Sequence, residues 1–206
     1  MSDRDDAWIL TFTGRKFWPL DPRAEDVCIE DIAHALSLKC RFTGHCREFY
    51  SVAQHSVLVS HYVADRGGDA ALQLAALLHD AGEAYLPDVA RPIKSRIDVL
   101  QIRKGQPGIT GTIPFRAAED DLMSVIEFAL GLESAVSRHR MIKEADVALL
   151  LSERRDLMPP EEHCWAKALG AEHVPLWLNT ILPWSPRHAE ERFLAKFRQL
   201  SGEVRA

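Results

Sequence analysis

The sequence predicts an all-α protein with a short β-hairpin at its N-terminus, and three observations carry that expectation. Apolar residues recur at helical spacing in successive stretches from Ile29 onward, whereas two-residue alternation is confined to residues 8–20. Helix-start signals (Ser51, Asp69 and the Ser185-Pro186 pair) stand directly before three of those stretches. Of the 206 residues, 47% are apolar, enough to bury one substantial core, so we expect a single domain over residues 1–206.

In chain order, WILTFTGRKFWPL (8–20) alternates around Thr13-Gly14, predicting a strand or hairpin followed by an extended Trp18-Pro19 segment. Ile29, Ile32, Ala33 and Leu36 share one face of a short helix, with acidic residues in its first turn matching the positive end of the dipole. KCRFTGHCREFY (39–50) has no clean period and reads as a loop. Ser51 can cap a helix whose stripe is Val52, Leu58, Val59, Tyr62 and Val63, and Gly67-Gly68 stop it.

Asp69 then opens a second helix, AALQLAALLHDAGEAYL (70–86), apolar on nearly all sides and hence central, which Pro87 ends. Between Arg91 and Arg116, the residues Pro92, Gly105, Pro107, Gly108, Gly111 and Pro114 predict a long mobile loop, a candidate lid, whose first part RPIKSRI is ordered. Helical pattern resumes over 117–131 and 134–157. A last helix begins at Pro186 and sets Phe193, Phe197 and Leu200 on one face.

Composition excludes several functions. Lys plus Arg number 25 against 30 Asp plus Glu, a formal charge of −5, which argues against a protein that grips long nucleic acid by its phosphates. The four cysteines (Cys28, Cys40, Cys46, Cys164) form no CxxC pair and no zinc-finger spacing, so reduced thiols are expected. The acidic, polar start MSDRDDAWIL is unlike a secretory signal, and no stretch reaches 18 uninterrupted apolar residues. These features predict a cytoplasmic protein without a membrane partner.

The chemistry concentrates in His55 on one predicted helix, the neighbours His79 and Asp80 on the next, and Asp146 on a later apolar helix, an H…HD…D series. Two imidazoles and two carboxylates suit a divalent ion such as Mn, Co, Fe, Ni, Zn or Mg and leave coordination positions open for water and phosphate. All three segments are rich in Leu, Val and Ala, and burying such groups unpartnered costs roughly 1–3 kcal/mol each. A shared cation satisfies them together. Asp120, Asp121 and Asp156 are alternative carboxylates but stand among charged neighbours, whereas Asp146 precedes ALLL; His61, six residues from His55, falls on another helical face.

H…HD…D in an all-helical chain resembles the HD-domain phosphohydrolase superfamily. RFTGHCREFYSVAQHS (41–56) and LLHDAGEAYLPDVARPIK (77–94) are similar to its nucleotidase branch, which includes bacterial 5′-nucleotidases and phage deoxynucleotide triphosphohydrolases. The similarity spans residues 29–151. It implies an HD-type helical bundle, His55, His79, Asp80 and Asp146 as metal ligands, Glu83 as base or proton shuttle, Asp88 as a further active-site acid, and Arg41 and Lys94 as phosphate-binding cations.

Chemistry supports part of that transfer: on one helix Glu83 lies i+4 from His79 and i+3 from Asp80, within reach of a water on the ion. Arginine forks two hydrogen bonds to phosphate and lysine supplies a point charge. Read as residues alone, Arg41 and Lys94 are equally surface charges and Asp88 after Pro87 equally a turn, whereas the spacing of Glu83 from His79 and Asp80 favours the site over a solvated helix end. Trp18, Phe42 and Tyr50 either stack on a base or plug the core.

The implied activity is hydrolysis of a (deoxy)nucleoside 5′-mono- or triphosphate, with a small-molecule nucleotide as partner and a homodimer as assembly. The alternative is a nucleotide-sensing module without turnover. Alarmone hydrolases are disfavoured because Glu83 is followed by Ala84 rather than a second acid, and cyclic-dinucleotide hydrolases because their Gly-Tyr-Pro signature is absent.

Overall fold

A computed structural model describes residues 7–101, 111–160 and 165–204, and they are mostly helical with two short antiparallel strand pairs. At the N-terminus β1 (Ile9–Leu10) pairs with β2 (Lys16–Phe17), as the alternation predicts. Gly14 takes the turn with φ 82°. Thr13 ties the hairpin to the next helix, its amide and hydroxyl donating to the Asp31 carboxylate at 2.7 and 2.9 Å. Phe17 is fully buried and stacks on Tyr85 at 3.6 Å between ring centroids.

Helix α1 spans Ile29–Leu38, α2 spans Val52–Asp65 and α3 spans Ala70–Leu77. The caps are those expected: Ser51 accepts from the Gln54 amide at 3.1 Å and Asp69 from the Leu72 amide at 2.8 Å. Helix α2 is central, buried at every position from Val52 to Ser60. Val52, Ala53 and Val57 join a core with Ile32, Leu36, Leu77 and Phe193, while Val59, Tyr62 and Val63 join a second with Tyr50, Ala145 and Leu149. Fully burying each such large side chain stabilises by about 1.5–3 kcal/mol.

Helix α4 (Arg91–Lys94), strands β3 (Asp98–Gln101) and β4 (Gly111–Pro114), and helices α5 (Phe115–Ala129), α6 (Arg140–Leu157), α7 (Trp165–Ala168) and α8 (Pro186–Val204) complete the chain. Helix α8 lies across α1, α2 and α3, and α6 packs on α2. Among the described residues no helix is long and apolar enough to cross a membrane.

Three expectations are corrected. The stretch 70–86 is not one helix. Helix α3 stops at Leu77, and His79 and Asp80 form a turn leading into a 3-10 helix over Ala81–Ala84. The cause is local: the Ala76 carbonyl, which a continuing helix would give to the Asp80 amide, lies 2.8 Å from His79 Nδ1 instead.

The expected order in RPIKSRI is met by α4, but the stretch expected to be irregular after it carries an antiparallel strand pair, with Val99 opposite Ile113 and Leu100 opposite Thr112. Its β-branched residues favour strands. Residues 102–110, including Gly105, Pro107 and Gly108, lie outside the described residues. Finally, the helix expected from Ser134 begins at Arg140. The Glu127 carboxylate first draws in the amides of Ala135 and Ser137 at 2.8 and 3.1 Å, and His139 caps α6. Cys28, Cys40 and Cys46 are free thiols; Cys164 lies outside the described residues.

Candidate metal centre

Three elements deliver the predicted ligands to one place. His55 comes from the first turn of α2, His79 and Asp80 from the turn after α3, and Asp146 from α6. His55 Nε2 lies 3.2 Å from Asp146 Oδ1 and 3.8 Å from Asp80 Oδ2, and His79 Nε2 lies 3.2 Å from Asp80 Oδ2. Ligand atoms of His55, His79 and Asp80 all fall within 4.8 Å of one another.

The chemistry of the donors fits a cation. His79 Nδ1 faces the Ala76 carbonyl, which only accepts, so Nδ1 carries a proton. His55 Nδ1 lies 2.6 Å from the Glu153 carboxylate. In the neutral rings each Nε2 then keeps a free lone pair, and both Nε2 atoms are buried without a hydrogen-bond partner. Contacts of 3.2 Å to carboxylates without hydrogen-bond geometry are what a shared ion between them would explain. The His-His-Asp group could hold a metal ion.

The electrostatics show how strongly these groups hold one another. Burial lowers His79, but Asp80 at 3.2 Å outweighs it and lifts the imidazole to about 9. Burial raises Asp80, yet His79, His55 and Arg41 hold it well below the usual carboxylate range. Burial also raises Asp146, yet His55 and His79 together hold it below its ordinary value. Glu83 moves the other way: burial first, then the Asp80 and Asp88 carboxylates, push it up to about 8.

Glu153 is the residue the sequence reading missed. It is wholly buried, and its carboxylate accepts from Tyr50 Oη at 2.8 Å and from Arg41 Nε at 3.1 Å while bonding His55 Nδ1. It stands seven residues after Asp146, two turns along the same face of α6. That spacing was the available signal; the run ERRD made the position look solvated.

Arg41, Glu83, Asp88, Lys94, Asp80 and Asp146 all line one cavity of about 760 Å³, and His55 and His79 stand 3.2 Å from the Asp146 and Asp80 carboxylates of its wall. The shared α-helical face invoked for Glu83 does not exist. In the 3-10 helix that follows Asp80, residues three apart eclipse, and this brings Asp80 and Glu83 to the same wall. Arg41 is committed to Glu153 at 3.0 Å with Asp80 at 3.8 Å, and Lys94 is paired with Glu119 at 2.7 Å.

Of the aromatic candidates Phe42 lines the cavity, 6.3 Å between centroids from Trp165; Tyr50 is buried against Glu153, and Trp18 is not among the lining residues. His61 stands apart from the cluster, its pKa lowered by burial and by Lys196 and Arg192.

No family model matches the sequence. The chain is 33% identical over 195 residues to the uncharacterized protein YfdR of Escherichia coli K12, an alignment covering 95% of this chain and 96% of that protein. It is 36% identical over 146 residues to an uncharacterized protein of Rhodobacter capsulatus, covering 68% of this chain and 67% of that one.

Proposed function

The chain belongs to the same family as YfdR of Escherichia coli, and we propose that it is a metal-dependent phosphohydrolase of the HD type acting on nucleotides. One observation carries the proposal: two imidazoles, each with its Nδ1 hydrogen-bonded, turn buried and unpartnered Nε2 atoms toward Asp80 and Asp146 at the wall of a cavity that also holds Glu83. His55, His79, Asp80 and Asp146 would hold one divalent ion of the Mn, Co, Fe, Ni, Zn or Mg group. Such an ion supplies Lewis acidity, easing water toward hydroxide near neutral pH and offsetting phosphate charge.

The chain's own residues supply the rest. Glu83, whose Oε2 is buried without a partner three residues from Asp80, is placed to accept and return a proton. Arg41, Lys94 and Arg116 face the same cavity and can meet phosphate oxygens. Phe42, Leu150, Trp165 and Leu169 give the cavity an apolar side suited to a planar base, and its volume of about 760 Å³ suits a nucleotide. This pairing of an ion-holding wall with an aromatic one favours nucleotides over small inorganic esters.

The test is metal analysis of the purified protein followed by a panel of nucleoside mono- and triphosphates with each divalent ion. The expected result is phosphate release from monophosphates or tripolyphosphate from triphosphates. Protein loaded with metal that cleaves no phosphate ester sinks the proposal. The alternative is a nucleotide-sensing role, in which Arg41 and Lys94, already paired with Glu153 and Glu119, hold a phosphate without turnover. Nucleotide binding without turnover in metal-loaded protein would select it.

A further inference from the structure

Cys40 and Cys46 bracket the loop that brings Arg41, Phe42 and Thr43 to the cavity wall. Their Sγ atoms lie 3.4 Å apart, and Cys46 Sγ is also 3.7 Å from the Arg41 carbonyl. Neither thiol is deeply buried. The fold holds them together from both sides of the loop: Cys40 bridges Ser51, the Arg41 amide donates to the Tyr50 carbonyl at 2.9 Å, and the Arg47 amide donates to the Leu157 carbonyl at 2.9 Å.

The backbone between the two thiols is under tension. Phe42 and Thr43 hold φ 56° and 53°, followed by Gly44 at 78°. For a β-branched residue this region is sterically costly, and such strain persists only where the surroundings impose it.

From this geometry we infer that Cys40 and Cys46 are a modification site: a dithiol that a low-molecular-weight disulfide of the glutathione class oxidises to an intramolecular disulfide, resetting the loop that walls the cavity. The exchange balances. One thiolate attacks the small disulfide and expels one small thiolate; the second thiolate attacks the resulting mixed disulfide at the protein sulfur and expels the other. The two protein thiols lose two protons and two electrons, and the small disulfide is reduced to two thiols. Burial and the adjacent Cys40 thiol push the Cys46 thiol above its ordinary value, so the pair rests as thiols and exchange begins from a small thiolate fraction.

A disulfide needs about 2.05 Å between sulfurs, so this pair must close by roughly 1.4 Å from 3.4 Å. Arg41 is held by Glu153 at 3.0 Å, and the Arg47 amide is held by Leu157. The adjustment therefore falls on Phe42 to His45, of which Thr43, Gly44 and His45 are exposed. Because Phe42 faces Trp165 across the apolar side of the cavity, moving it alters the space for a ligand. This last consequence rests on the phosphohydrolase reading; formation of the bond does not.

The test is to equilibrate the full chain with mixtures of reduced and oxidised glutathione, then denature it, alkylate free thiols and map peptides by mass. The expected result is that Cys40 and Cys46 lose alkylation together, in a linked product two hydrogens lighter, while Cys28 remains alkylated; Cys46→Ser converts the protection of Cys40 into a glutathione adduct. Independent labelling of the two at every ratio, adducts without an internal bond, or bonds between two chains would overturn the site.

Hydrogen exchange of the amides of residues 41–47 is expected to differ between the reduced and oxidised forms, and identical exchange would overturn the resetting of the loop. In metal-loaded protein the oxidised form is expected to show a severalfold rise in KM for nucleotides, and unchanged kinetics would overturn the coupling to the cavity. Absence of turnover in both forms, with the bond and the exchange change present, counts against the phosphohydrolase reading alone.

Discussion

Glu153 Oε1 stands 2.6 Å from His55 Nδ1, and both side chains are wholly excluded from solvent. The carboxylate fixes the ring, sets which nitrogen faces Asp146, and is itself balanced by Arg41 at 3.0 Å. Carboxylates in this position behind a ligating imidazole typically contribute ten- to a hundredfold to metal affinity. Glu153→Gln keeps the shape but removes the charge, so metal affinity measured by competition with a chelator should fall by about that factor. Glu153→Ala also leaves the Arg41 guanidinium buried without its main partner, and denaturant unfolding should show a loss of about 3–5 kcal/mol. Unchanged metal affinity in Glu153→Gln would show that this carboxylate is structural only.

Metal uptake should release protons. Asp80 lifts His79 to about 9, so at neutral pH the metal-free ring is charged and must lose a proton before its Nε2 can bind an ion. Affinity should therefore rise with pH until about pH 9 and then level. Calorimetric titration in buffers of different ionisation enthalpy counts the protons, and a heat independent of buffer at pH 7 would contradict the expectation.

The same shifts give the metal-free protein an unusual stability profile. His79 has a raised folded pKa, so its contribution is complete below the ordinary 6.5 and is lost as pH climbs through about 9. Glu83, raised to about 8, acts in the same direction, its stabilisation draining from about pH 4.5 upward. Thermal unfolding without metal should show Tm falling between pH 6.5 and 9, and metal should reverse that trend. A rising Tm over the range in chelated protein would rule out this assignment.

How legible this was in the sequence differs by element. Helices with local instructions were readable: Ser51 and Asp69 cap α2 and α3, and Pro186 opens α8 as their side-chain chemistry requires. That His55, His79, Asp80 and Asp146 gather at one place was readable because they are polar residues set in apolar surroundings. The end of α3 was not, since it depends on His79 taking the Ala76 carbonyl, a competition between side chain and backbone that periodicity does not encode. Glu153 was hidden for a related reason: its burial depends on Arg41 and Tyr50, which lie over a hundred residues away in sequence.

Glu83→Gln tests the proton-transfer role. Its Oε2 is buried without a partner, and it stands three residues from Asp80 on the same 3-10 turn. The amide retains size and hydrogen bonding but cannot take a proton, so kcat should drop by about a hundred- to ten-thousandfold, with metal content intact. A variant that keeps both full turnover and its metal would remove Glu83 from the chemistry.

Trp165 tests the nucleotide reading at the far side of the cavity. Its ring stands 6.3 Å from Phe42, with the Arg154 guanidinium 5.9 Å from its centroid, so one face of an incoming base would meet an aromatic surface backed by a cation. Loss of a stacking partner costs about 1–3 kcal/mol per base. Trp165→Ala should therefore raise KM for nucleotides by about five- to a hundredfold while kcat stays within a factor of a few. A deoxyribose 5-phosphate lacking any base should be cleaved equally by both forms. If the substitution lowered kcat for both substrates alike, Trp165 would be holding the α7 segment in place instead of holding a base, and the apolar side of the cavity would no longer argue for a nucleotide.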